Sequence, residues 1–134
     1  MTETRTVTVE RDIPYPAEKI WRALTQPHLM EEWLMKNDFK TPTVGQKFSF
    51  TEDWGSIDCE VVEVEPRKTL SYKWVAFGLE SVVTFTLAKS GTGTLLRVEQ
   101  EGFPVDQQQA YRGAQQAWPE FLAKLEQVVS RQTA

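Results

Sequence analysis

The run from Asp106 to Arg131 keeps a helical period longer than any other stretch of the chain, so the rest of the fold must give it something to cover. Tyr111, Ala114, Trp118, Leu122, Leu125 and Val129 recur at three- and four-residue steps. Ala110, Ala117, Phe121 and Val128 widen that stripe, while Gln108, Arg112, Gln115, Glu120, Lys124 and Gln127 take the other side. This is the pattern of a helix that lays one apolar face on a core. Asp106 is placed to cap its start, with Gln109 completing a variant of the capping box. Pro119 cannot donate to the Gln115 carbonyl, so a kink is expected there.

The stripe changes in size along its length. Apart from Tyr111, the part before Pro119 offers small groups: Ala110, Gly113, Ala114 and Ala117. From Trp118 onward it offers Phe121, Leu122, Leu125, Val128 and Val129. Bulky side chains fill space and small ones leave it. The second half is expected to anchor the helix, and the first to wall a cavity.

What the helix covers is a sheet. Thr4 to Ile13 alternates as a strand with one wet face, and Pro14-Tyr15-Pro16 ends it. Pro16 suits the first position of a helix, in which Ala17, Ile20, Trp21 and Leu24 share a face. Thr25-Gln26-Pro27 breaks that helix, and Leu29, Met30, Trp33 and Leu34 form a second short one. Beyond Asn37 the signals are β. Lys47–Thr51 puts Phe48 and Phe50 on one face, and Glu52–Ser56 reads as a polar loop. Ile57–Glu65 breaks strict alternation, which predicts a bulge. Leu70, Tyr72 and Trp74 share the next face, and Phe77-Gly78 turns. Val83, Phe85 and Leu87 alternate with Thr84, Thr86 and Ala88, then Lys89–Gly93 forms a hairpin tip before Leu96 and Val98. Sequential hairpins give an antiparallel sheet of about six to seven strands, an α+β fold in one domain spanning 1–134.

Composition narrows the function classes. A net charge of −4 argues against nucleic-acid backbones as partners. No apolar run reaches the ~18 residues of a membrane span, and Met1–Arg11 has no signal-peptide core, so the cytoplasm is the expected location. The single cysteine, Cys59, and the single histidine, His28, offer no metal-ligand cluster and no internal disulfide. Glu31-Glu32 and Glu52-Asp53 are adjacent pairs whose side chains diverge, and Gly91-Thr92-Gly93 opens no helix, so neither a carboxylate dyad nor a phosphate loop is expected. No catalytic residue, metal or cofactor is assigned.

Several stretches resemble one family. Pro14–Leu24 followed by Thr25-Gln26-Pro27 and Trp33 resembles its opening, and Glu65–Trp74 its central signature. Gly102-Phe103-Pro104 and Trp118-Pro119-Glu120-Phe121-Leu122 resemble its closing signature. The family is that of the activator of heat-shock-protein-ninety ATPase homologues, within the START and birch-pollen-allergen-like superfamily. Ala117 stands where relatives often have glycine, and Val44-Gly45 where a Gly-Gly pair is common. The resemblance implies the helix-grip fold, with a curved sheet wrapped on the C-terminal helix and an apolar cavity between them.

The aromatic residues carry the functional expectation. Trp21 and Phe121 are assigned to the core. Trp33, Phe48, Phe50, Tyr72, Trp74, Phe85, Tyr111, Ala114 and Trp118 are assigned to a ligand-binding cavity, with Trp33 at its rim. Indole and phenol groups would supply the few polar tips such a site needs, and Arg11 is a further polar candidate whose simpler role is a salt bridge at the sheet margin. The expected partner is a small apolar molecule. Two alternatives stand beside it: a chaperone-associated module, as the family name implies, and a cyclase-like enzyme using Tyr72, Tyr111 or Glu99; a chaperone or homodimer contact is the further partner considered.

Overall fold

The computed structural model describes residues 3–76 and 78–131; Met1 and Phe77, named in the readings above, lie outside them. Strand β1 (Thr4–Ile13) is followed by helices α1 (Ala17–Thr25) and α2 (Pro27–Trp33). Strands β2 (Lys36–Asn37), β3 (Lys47–Glu52), β4 (Gly55–Glu65), β5 (Thr69–Ala76), β6 (Leu79–Ser90) and β7 (Gly93–Pro104) precede helix α3 (Gln108–Arg131). The seven strands form one antiparallel sheet in the order β1-β7-β6-β5-β4-β3-β2. Strands β1 and β2 are therefore opposite edges, and α1 and α2 carry the chain from one to the other. The fold is the α+β helix-grip type.

Local differences from the sequence reading have simple causes. Pro16 is the N-cap of α1, in extended conformation, and Pro27 takes the first helical position of α2. Asp106 lies in a turn before α3, where Gln107 donates its N–H to the Pro104 carbonyl, so it does not cap the helix. Helix α3 runs on through Pro119, which faces solvent, so the Gln115 carbonyl it leaves unpaired is on the wet side. The Glu52–Ser56 loop is only a tight tip at Asp53-Trp54. Strand β2 is two residues long, too short for any period to announce it.

Two bulges shape the sheet. In β4 the register slips between Val61 and Glu63, leaving Val62 outward while Ile57, Cys59 and Val61 face the core. In β7 the slip falls at Gly102: Phe103 pairs with Arg5 and Glu101 with Thr6, so Gly102 is the extra residue. Its φ of +110° is open to glycine, and a Cβ there would lie 2.8 Å from the Glu80 carbonyl oxygen. Strict alternation from Val98 and Gln100 would turn Phe103 outward. The bulge turns it back in, and Phe103 is 1% exposed.

The bulky half of α3 packs as expected: Leu122, Leu125, Val128 and Val129 are buried against β1, α1 and α2. Arg11 reaches across from β1 to form an ion pair with Glu126 at 2.9 Å, its marginal role. No helix among the described residues is long and apolar enough to cross a membrane.

Candidate functional site

The small-sided half of α3 stands over a hollow of about 440 Å³. Ala110, Gly113, Ala114 and Ala117 form its helical wall, and a Cβ built on Gly113 would meet nothing within 4 Å. Trp74, Ala76 and Leu79, from the β5–β6 hairpin, and Phe103 make the sheet wall. Trp118 and Phe121 close the end toward the core. Trp54, 54% exposed at the β3–β4 tip, stands with Gln107 and Gly113 at the wet side, so the hollow opens there.

One buried polar chain forms part of the wall. The Trp118 indole N–H donates to Gln100 Oε1 at 2.8 Å, and Gln100 Nε2 donates to Ser81 Oγ at 2.9 Å. Ser81 Oγ in turn donates to the Trp74 carbonyl at 3.0 Å. Gln100 is 4% exposed and Ser81 likewise. Sequence reasoning missed Gln100, although the alternation Leu96, Val98, Gln100 places it inward. A polar side chain at such a position needs partners, and that need was the available signal.

Of the residues assigned to a cavity, Trp74, Ala114 and Trp118 line this hollow. The others do not. Trp33 is 1% exposed rather than at a rim, its N–H spent on the Ala23 carbonyl at 2.7 Å and its ring edge-on to Phe85 at 6.0 Å. Phe48, Phe50 and Tyr72 pack on one another along the sheet, with centroids 5.2 to 6.1 Å apart, and Tyr72 continues the cluster to Phe85 at 5.9 Å. They back the hollow rather than line it, with Phe50 against Trp74 at 5.4 Å and Phe85 against Trp118 at 5.8 Å, while Phe48 borders a separate, charged hollow with Asp38, Lys47 and Asp58. Tyr111 packs outside the hollow, between the Phe103 ring at 5.8 Å and the Arg5 guanidinium at 5.4 Å. Conversely Phe121, assigned to the core, is only partly buried and borders the hollow, edge-on to Trp118 at 5.6 Å.

Comparison with known families matches residues 14–130 to the activator of Hsp90 ATPase homolog 1-like proteins. The chain belongs to that family. No curated protein matches the sequence. Among solved structures, protein MLL2253 from Mesorhizobium loti is 59% identical with a TM-score of 0.92, over 97% of this chain and 100% of that one. DynU16, from the dynemicin biosynthetic locus, is 26% identical with a TM-score of 0.83; the match covers 94% of this chain and 47% of DynU16. The Aha1 dimer from Colwellia psychrerythraea shares the fold at 21% identity and a TM-score of 0.79, over 97% of this chain and 99% of that one. In this member of the Hsp90-ATPase-activator-like family, the stretches that carried the resemblance, Glu65–Trp74 and Trp118–Leu122, both reach the hollow, the first through Trp74 and the second through Trp118 and Phe121.

The groups considered for chemistry lie elsewhere. Tyr72 is buried in the aromatic cluster, and Glu99 pairs weakly with Arg97 at 4.0 Å. His28 is exposed, and the described residues contain no cluster of potential metal ligands. Cys59 is buried, and burial first, then the charges of Asp58 and Asp38, push its thiol well above the ordinary 9.0. Burial, then the neighbouring Cys59, likewise raises Tyr72 well above 10.0. Both groups keep their protons in the folded chain at pH values where the unfolded chain has lost them. The unfolded state then binds fewer protons, so stability falls as pH rises past about 9 for Cys59 and about 10 for Tyr72. Denaturation midpoints between pH 8 and 11 should show a steepening decline of up to ~1.4 kcal/mol per pH unit per group. Cys59→Ala should remove the portion that starts first; an unchanged profile would count against it.

Proposed function

We propose that the protein binds a small apolar molecule, without transforming it, in the hollow beneath the first half of α3. The observation that carries this reading is the coincidence of space and lining. A volume of about 440 Å³ sits where the helix offers Ala110, Gly113, Ala114 and Ala117, and its opposite walls are aromatic. Ligand sites of small proteins have this size range and this mostly apolar character, with few polar groups. Tyr72, Tyr111 and Glu99, the residues weighed as an acid or base, are not among its lining residues, which favours holding a ligand over converting it.

A titration with Nile red, an uncharged apolar dye, tests the reading. Dye emission should rise and tryptophan emission fall together, saturating at one dye per chain with micromolar affinity, because Trp54, Trp74 and Trp118 border the hollow. Absence of saturable binding would remove the ligand-binding reading and bring forward the chaperone-partner one.

A further inference from the structure

Resting on that reading, we infer that the hollow selects an uncharged ring compound carrying a carbonyl-type acceptor oxygen, and that Gln100 is the residue that reads the oxygen. Two observations carry this. The first is the absence of charge: the described lining residues include no Asp, Glu, Lys, Arg or His. A carboxylate or ammonium drawn inside would lose its hydration and meet no counter-ion among the lining residues. Long-chain acids and amines are thereby disfavoured, and only a charged end left at the mouth beside Gln107 would escape.

The second observation is the direction of the buried hydrogen-bond chain. An indole N–H can only donate, so the Gln100 oxygen must face Trp118, and the amide has one orientation. One Gln100 N–H then goes to Ser81, whose own proton goes to the Trp74 carbonyl. An amide nitrogen carries two protons. The second proton of Gln100 has no partner among the hydrogen bonds the described residues make, while Gln100 is 4% exposed and lines the hollow. The wall therefore holds one oriented spare donor. A ligand oxygen that accepts it completes the chain, whereas a hydrocarbon of the same shape leaves it unmade. Flat rings suit the rest of the site, where the Trp74 and Trp118 rings lie 5.8 Å apart between centroids and Phe103 and Phe121 add further faces.

Three compounds of nearly one shape separate these terms: 9-fluorenone, fluorene, and fluorene-9-carboxylate. By quenching of tryptophan emission, fluorenone should bind about five- to tenfold more tightly than fluorene, the worth of one neutral hydrogen bond. The carboxylate should bind at least about tenfold more weakly than fluorenone. In Gln100→Leu the fluorenone preference should vanish while fluorene still binds. In the wild type, fluorenone and not fluorene should shift one of the two Gln100 side-chain amide proton resonances downfield, a readout that stands even if the variant does not fold. Equal binding of fluorenone and fluorene, or a preference surviving in Gln100→Leu, would overturn the role of Gln100 while leaving the hollow as a binding site. Tight binding of the carboxylate would overturn the selection against charge. Failure of all three, together with Nile red, would instead remove the binding reading on which this one rests.

Discussion

Leu125→Ala should lower the free energy of unfolding by ~2–5 kcal/mol, the range for truncating a buried leucine. Leu125 is 0% exposed and sits among Leu122, Val128 and Val129, where α3 meets β1, α1 and α2. Removing its branched end leaves a void that well-packed neighbours cannot close. Ala114→Ser, made on the same helix eleven residues earlier, should lower stability by no more than ~0.5–1 kcal/mol, mostly through weaker helix propensity. Its hydroxyl points into space bordered by Gln107 and the open mouth rather than into close-packed side chains. Urea denaturation of the two variants measures the contrast. Equal losses would mean that α3 packs uniformly, and the hollow would lose its strongest structural correlate.

That asymmetry was legible in the sequence because side-chain volume along a helical stripe is a local quantity. The strands were legible for the same reason: alternation of period two names the inward residues of each strand, and even the β4 bulge showed as a broken alternation around Val62. Depth was not legible. Alternation places Phe48, Phe50, Tyr72 and Phe85 inward, where they are buried, yet it does not say which part of α3 or α2 lies above a given strand position. Phe50 and Phe85 pack behind Trp74 and Trp118, one layer removed from the alanine wall, and Phe48 and Tyr72 pack beyond them. The surroundings of Trp33 were hidden in the same way, since helical period gives a direction but not the neighbour that receives it. The β7 bulge was hidden because Gly102 before Phe103-Pro104 also reads as the start of a loop. Only pairing with β1 shows that this glycine turns Phe103 into the site.

Ala114→Trp should reduce Nile red and fluorenone binding by at least about thirtyfold, a loss of ~2 kcal/mol or more, while leaving the fold intact. An indole on Ala114 enters the volume of about 440 Å³ that the ligand would occupy, between the α3 wall and Trp74. Space without atoms has few contacts to lose, so the new ring displaces little and takes its own apolar surface out of water. Its weaker helix propensity costs about 0.5 kcal/mol, which that burial offsets. Gln115→Trp, one residue later on the exposed face, is the matched control and should bind as the wild type does. Calorimetric unfolding of each variant separates blocking from misfolding. If Ala114→Trp unfolds the chain while Gln115→Trp does not, the region under Ala114 is already filled with packed atoms. If Ala114→Trp folds and still binds both probes as tightly as wild type, the ligand lies elsewhere, because a ring of that size and the probe compete for the same walls.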